Sequence, residues 1–374
     1  MKKIGQVTMF GNNYGACLQA LALQHVLLEN DFEAELVNYG GKKTLETGNV
    51  NPVVKTIKKI SHLGILRIVK YILNYSYIKK NKAVYNDFRK NRLKISSKIY
   101  YRNVNLDELK NDYDFFIAGS DMLWSEEFSE DWNFYFLSFA PKEKCFSYAP
   151  SFGQNTLSAE NKNIVKTYLE KFNRLSCREE KGVKLIKEIT SLDVPQVVDP
   201  TLLLDANKWN EIIGNNDRIL KNKYCFGYLF GSVDSARKTL INKLESNFGK
   251  IYRLSNKKEG TTVPMSCVSP IEYLRLFRDS EFVITDTFHG LMFSIIFRKP
   301  FVVLERRDGS KWAKQSDRMV STLEMLGLAD RYVNPEKIDM SKYLTLDYTK
   351  YEKKIESCRI ESLNYLKTIL EENR

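Results

Sequence analysis

Metal-binding and redox spacings are missing from this sequence. Its six cysteines, Cys17, Cys145, Cys177, Cys225, Cys267 and Cys358, include no CxxC pair, and its three histidines, His25, His62 and His289, are dispersed. Both facts argue against a zinc site. No run of about 18 apolar residues occurs, which argues against a transmembrane helix. The opening MKKIGQVTMFGNNYG lacks the apolar run and small-residue cleavage site of a secretory leader and reads as a first strand. The cysteines are therefore expected to be reduced thiols in a cytoplasmic protein. Short-period repeats and low-complexity tracts are also absent. Acidic residues are scarce in one place: residues 55–102 hold 14 Lys/Arg and one acid, Asp87, a net of +13 in a chain whose total is +12. The rest of the chain is about neutral. Such a localised excess points to an anionic partner or surface.

What is present suffices for a real core. The 374 residues are 43% hydrophobic and 12% aromatic, and the length suggests two domains. The organising stretch is EFVITDTFHGLMFSIIFRKPFVVLE. It reads as a strand over 282–285, a tight turn over 286–290, an apolar helix over 291–297 and a second strand over 301–304. In an open α/β sheet such a turn is where ligands bind, because strand carboxyl ends and helix amino ends point there. His289 is the only histidine at such a place. It reads either as a turn residue capping the helix or as a functional group. Its neighbours Asp286 and Thr287 favour function, and Gly290 would let a ligand approach the backbone closely.

The first part of the chain follows the same plan. A strand over 2–10, a loop with Asn12, Asn13 and Tyr14, a helix over 16–29 and a strand over 34–38 open a doubly wound domain. The loop is not GxGxxG; it is either a polar ligand-facing loop or a plain turn. His25, inside the helix, reads as structural. Residues 53–93 read as one or two helices, with Ile65, Ile68, Val69 and Ile72 at helical spacing and Arg67 and Lys70 on another face. Either this is a solvated helical hairpin, or its basic and aromatic surface meets anionic lipid head groups. No nucleic-acid recognition motif accompanies it. Strands are expected over 113–118, 144–149, 175–178 and 197–198, and helices over 158–172 and 179–189. Strand ends thus present Asn12 and Asn13, Ser120 and Asp121, Ser151, Arg178 and Asp199 toward one sheet edge. Residues 200–209 read as a linker. A second α/β unit begins with a strand over 224–230 and contains helices over 235–247 and 271–278, the latter opened by a capping box at Ser269 and Glu272. The cationic stretch ERRDGSKWAKQSDR, with Arg306, Arg307, Lys311, Lys314 and Arg318, follows the strand beside His289. It reads as a solvated loop or as a phosphate and carboxylate contact. Helices are expected over 321–326 and 350–373.

Six motifs in order carry a resemblance: GNNYGACLQA after the first strand, AGSDMLW, SYAPSFG, SCREEKG, VVDPTLLL and ITDTFHGLMFSIIFRKPF. Together they resemble the polysaccharide pyruvyl transferase family over most of residues 4–330. The resemblance implies an α/β fold with two Rossmann-like domains facing a cleft, in a GT-B-like arrangement. The division expected is an N-terminal domain over 1–205 with a basic helical insertion over 53–102, a C-terminal domain over 206–340 carrying His289, and a terminal helix over 341–374 packing back on the first domain. It also implies transfer of the enolpyruvyl unit of phosphoenolpyruvate to a sugar of a capsule, exopolysaccharide or cell-wall precursor. By this analogy His289 is catalytic and Arg178 binds the donor. Related sequences often show Gln where Met122 stands and Ser where Thr287 stands, which bears on the acceptor.

Chemistry fills in the expected roles. A carboxylate and a phosphate call for guanidinium groups: Arg178 first, then Arg306, Arg307, Lys311 and Arg318. Imidazole exchanges protons near neutral pH, which suits His289 as general acid/base, and an anionic substrate favours its charged form. Asp121, or Asp286, is placed to accept from a sugar hydroxyl. Residues 11–15, with Ser120, Thr287 and Gly290, complete the expected binding set. No metal or resident cofactor is expected. The expected partners are phosphoenolpyruvate, a sugar acceptor that includes lipid-linked forms, and an anionic inner membrane face reached through 55–102, but not nucleic acid. The alternative is a GT-B-like glycosyltransferase with a nucleotide-sugar donor.

Overall fold

Short, wholly apolar strands dictate the architecture. FFIA (β3, Phe115–Ala118), FVIT (β8, Phe282–Thr285) and FVVL (β9, Phe301–Leu304) are buried along their whole length, the pattern of parallel strands covered on both faces. The computed structural model describes residues 1–42, 65–214, 217–231, 233–255, 261–307 and 316–374. In it, β1 (Lys3–Val7), β2 (Glu33–Leu36), β3 and β4 (Cys145–Ser147) form a parallel sheet in the order β2-β1-β3-β4. Six more strands form a second parallel sheet: β5 (Cys225–Tyr228), β6 (Ile251–Leu254), β7 (Val263–Met265), β8, β9 and β10 (Tyr332–Val333), in the order β10-β9-β8-β5-β6-β7. The protein is therefore α/β with two Rossmann-like domains. The basic helix Ile65–Arg92 is inserted in the first, between β2 and β3.

Caps fix where the helices begin. Asn13 caps Tyr14–Glu29 by accepting from Ala16 N. Asp199 caps Pro200–Leu203, with Pro at its start, and the Ser269–Glu272 capping box opens Pro270–Asp279. Thr287 caps Phe288–Ile296 by accepting from Gly290 N. This helix starts three residues earlier than its apolar run suggests, so His289 sits in the first turn and not in the loop before it.

Several sequence-based boundaries change. Residues 175–178 and 197–198 form no regular strands; single bridges, Phe146 with Arg174 and Cys177 with Gln196, extend the parallel pattern there. Residues 200–209 are not a loose linker. They enter the helices Pro200–Leu203 and Ala206–Ile213, which bury Leu202, Leu203 and Trp209. The cationic stretch turns helical from Ser316, while Lys311, Lys314, His62 and residues 53–64 lie outside the described residues.

The core crosses the boundary between the sheets. Tyr14 of the first domain stacks on Tyr273 of the second, centroids 4.5 Å apart and planes within 1°, and its hydroxyl donates to Val268 O at 2.8 Å. The terminal helix Thr349–Glu372 lies against the first domain. Val198 N donates to Ser362 Oγ at 2.9 Å, Tyr365 Oη donates to Ser147 O at 3.0 Å, and Arg174 pairs with Glu372. All six cysteines are free thiols. No described helix is long and apolar enough to cross a membrane.

Candidate active site

The carboxyl ends of both sheets converge on one cavity of about 260 Å³. Asn13 and Gly15 follow β1, Asp121 and Met122 follow β3, and Tyr228 and Phe230 end β5. Asp286 to His289 follow β8, Arg306 follows β9, and Arg318 and Met319 come from the helix Ser316–Leu326. Ligands bind at this end of an open parallel sheet, and the amino end of Phe288–Ile296 adds a preference for anions.

His289 occupies the seam between the domains. Its side chain is 12% exposed, and Nε2 lies 3.8 Å from Asp199 Oδ2, just beyond hydrogen-bond reach. That nitrogen has no hydrogen-bond partner among the described residues. A Cβ on Gly15 would stand 2.0 Å from His289 Nδ1, so the first turn of the first domain's leading helix touches the imidazole. Gly15→Ala must displace the ring. A misplacement near 1 Å costs about 10²-fold in rate; turnover by this variant is expected to fall by that order. Wild-type turnover with an unchanged pH profile would contradict the contact.

Behind His289 lies a buried charge network, in which Arg178 Nη2 has no hydrogen-bond partner among the described residues. Asp199, fully buried, accepts from Thr201 N and Oγ1 at 3.0 and 2.8 Å, from Ser120 Oγ at 2.9 Å and from Arg178 Nη1 at 2.9 Å. Arg178 also donates from Nη1 to Ser120 Oγ at 3.1 Å and from Nε to Glu179 Oε1 at 2.8 Å. Its guanidinium sits 4.3 Å from the centre of the Phe288 ring. Burial opposes the Asp199 charge, but His289, Arg178 and the Thr201 bonds outweigh it and hold the carboxyl below its usual range. Burial also opposes the Arg178 charge, and Glu179 and Asp199 more than offset it.

The imidazole responds in the other direction. Burial lowers the His289 pKa below 6.5; Asp199 and Asp121 oppose this, while Arg178 and Arg318 add to it. The ring of the unliganded protein is therefore neutral at neutral pH, and not the imidazolium expected beside a bound anion. The unfolded chain binds this proton first as pH falls. Stability from His289 is thus complete above about 6.5 and declines as pH drops from there toward the depressed folded value. Melting curves across that window should show wild type losing stability relative to His289→Gln; parallel curves would contradict the assignment.

Not every expected site residue reaches the cavity. Asn13, Asp121, Thr287, His289, Arg306 and Arg318 do. Asn12 is exposed and accepts from Arg89 Nη1 at 3.0 Å. Tyr14 belongs to the interdomain contact. Ser120 and Arg178 belong to the network behind the wall and do not line the cavity. Gly290 does not offer its backbone to a ligand. It is buried, and a Cβ there would stand 2.1 Å from Thr285 Oγ1. Asp286 is occupied: Phe230 N and Gly231 N each donate to it at 2.8 Å and Arg237 Nη1 at 3.3 Å, while burial raises its pKa. Arg307 pairs with Asp234, Glu305 and Glu336.

Two guanidiniums remain at the wall. Arg306 lies 4.7 Å from the centre of Phe230 and Arg318 lies 5.8 Å from that of Phe288. Burial and repulsion from Arg178 bring the Arg318 pKa down to about 10, so it stays charged at neutral pH. Gly15, expected with the loop 11–15, lines the cavity, whereas the aromatic partners Phe230 and Phe288, with Tyr228 and Met319, were not anticipated from sequence. Asp199 was anticipated only as a strand-end residue; Asp-Pro signals the cap but not its reach to His289.

Two parallel sheets whose carboxyl ends share a cleft containing a histidine and two arginines define a two-domain, GT-B-like protein. The chain belongs to the polysaccharide pyruvyl transferase family, whose model matches residues 13–308. Among solved structures it is similar to the UDP-GlcNAc 2-epimerase from Methanocaldococcus jannaschii (11% identity, TM-score 0.50, 89% of this chain and 90% of that one), which supports the fold. The UDP-GlcNAc 2-epimerase from Neisseria meningitidis bound to UDP-GlcNAc (9%, TM-score 0.45, 98% and 100%) and an E. coli heptosyltransferase with ADP-2-deoxy-2-fluoro heptose (13%, TM-score 0.35, 86% and 98%) are more distant in shape. No curated protein matches the chain.

Proposed function

We propose that this transferase-family protein moves the enolpyruvyl group of phosphoenolpyruvate onto a sugar of a bacterial capsule, exopolysaccharide or cell-wall glycan precursor, forming a pyruvate ketal. The observation that carries the reading is the cavity in which His289 stands with Arg306 and Arg318 at the carboxyl ends of both sheets. The two arginines hold the donor's carboxylate and phosphate, and guanidinium matches both anions. Asn13 and Asp121, in the same wall, leave polar surface for an acceptor hydroxyl. Two acceptor hydroxyl oxygens each form a bond to C2 of the enolpyruvyl unit, and the bond from C2 to the phosphate oxygen breaks. One hydroxyl proton ends on the methylene carbon and the other on phosphate. His289 passes these protons: neutral in the empty site, it takes one from the attacking hydroxyl, and bound anions raise its pKa so that the imidazolium donates to carbon. Asp121 accepts from the acceptor, and Asp199 restrains the imidazole. No step calls on a metal or resident cofactor.

Incubation with phosphoenolpyruvate and capsule, exopolysaccharide or cell-wall precursor fractions tests this. Phosphate release equal to the ketal methyl signal in proton NMR is expected. Phosphate release without a ketal, or neither, would count against it.

The acceptor is proposed to be lipid-linked and the protein to work in the cytoplasm, against the inner face of the membrane. On the helix Ile65–Arg92, Tyr75 and Ile78 are 53% and 40% exposed beside exposed Lys79, Lys80 and Lys82, an apolar and cationic pairing suited to anionic head groups. Co-sedimentation should occur with phosphatidylserine-containing vesicles and not with pure phosphatidylcholine; equal binding to both rejects the membrane partner.

A further inference from the structure

A second cavity of about 350 Å³ adjoins the first. Arg318 lines both. Met122 lines the first, and its Sδ lies 2.8 Å from where a Cβ on Gly153, in the wall of the second, would stand. Gly153 has φ +66°, so this close approach sits at a glycine-favouring backbone turn. Arg318 and Met122 are thus a thin partition between two adjacent chambers.

The chambers differ in chemistry. The first presents His289, Arg306 and Arg318 beside Asp121 and Asp286. The second is walled by Glu127, Gln154, Asn155, Thr156, Glu179 and Lys181 of the first domain and by Asp317 and Arg318 of the second. Asp317 ties the domains across this chamber: Lys181 pairs with it at 2.8 Å, and Asn155 donates to it. These contacts hold its carboxyl below the usual range. The second chamber's mixture of carboxylates, amides, a hydroxyl and cations satisfies hydroxyl groups that both donate and accept.

We propose that this second chamber binds the acceptor as a pyranoside, with Arg318 and Met122 setting how far its hydroxyls reach toward the donor chamber. The inference rests on the pyruvyl-transfer reading for its division between donor and acceptor. Met122 places a flexible apolar side chain at the partition, which favours an acceptor presenting a C–H face there.

Saturation-transfer NMR with methyl glycosides of glucose, galactose, mannose and N-acetylmannosamine tests the site. Thr156→Trp adds bulk at an exposed residue that lines the second chamber and not the first. Wild type should transfer saturation to at least one of these pyranosides. Thr156→Trp should lose that signal while keeping the melting-temperature rise caused by phosphoenolpyruvate. An undiminished signal in Thr156→Trp, or no signal with wild type, overturns the acceptor site. Absence of a phosphoenolpyruvate response in wild type strikes the donor reading instead, and loss of pyranoside signal in the variant would then still establish a sugar site.

Discussion

Replacing His289 with Ala is expected to lower turnover by about 10²–10⁴-fold, the usual worth of a positioned general acid/base, while the fold survives. The ring stands in the cavity wall, 3.8 Å from Asp199, and no other histidine lies among the cavity residues. The helix that carries it is held by the Thr287 cap and by apolar side chains from Leu291 to Ile296, none of which the substitution removes. Truncation also lifts the cost of keeping a buried imidazole neutral. Melting temperature should therefore stay close to wild type, and the variant should lose the His289-linked decline in stability below about pH 6.5. Turnover at the wild-type level in a folded His289→Ala protein would remove His289 from the mechanism.

Arg178→Met is expected to cost about 3–5 kcal/mol of stability, the range for breaking a buried ion pair and stranding its partner. Two carboxylates are stranded here. Asp199 and Glu179 are 2% and 5% exposed, and Arg178 bonds both. Against a typical total of about 5–15 kcal/mol, this is a large fraction, readable by urea unfolding. Lys at this position keeps a charge but not the fork that reaches Glu179 and Asp199 together, so it should recover only part of the loss. Catalysis should change through His289. Without the neighbouring cation, Asp199 raises the imidazole pKa, and the acidic limb of the rate profile moves to higher pH. A folded variant of wild-type stability whose sole defect is a raised KM for phosphoenolpyruvate would instead make Arg178 a ligand contact.

The reach of the sequence ended where side chains had to be placed against each other. Strand identity was readable because FFIA, FVIT and FVVL are apolar along their length, as strands covered on both faces must be. The capping box at Ser269 was readable for the same local reason. The position of His289 at a strand end followed from the β-turn-α pattern. Residues 175–178 and 197–198 were misjudged because their extended backbones make single bridges and not ladders. The helices within residues 200–209 were missed because Asp-Pro and Asp-Ala look like turns, and burial against the leading helix shows only in the fold. The ion pair of Arg178 was not legible either: a lone arginine after a strand gives no sign of a buried Asp199, 21 positions away in sequence. The pairing of Gly15 with His289 joins two domains across 274 residues and left no local trace.

Binding of phosphoenolpyruvate in the His289 cavity is the step on which the proposed pyruvyl transfer depends. The most direct measurement is a thermal-shift titration of wild type and Arg306→Ala with phosphoenolpyruvate, using pyruvate and inorganic phosphate as controls. A saturable rise beyond both controls is predicted for wild type, because only the donor presents carboxylate and phosphate together, and Arg306→Ala should weaken it. A flat response to phosphoenolpyruvate, together with a saturable rise for nucleotide sugars in the same plate, would rule out the pyruvyl donor and indicate a glycosyl donor.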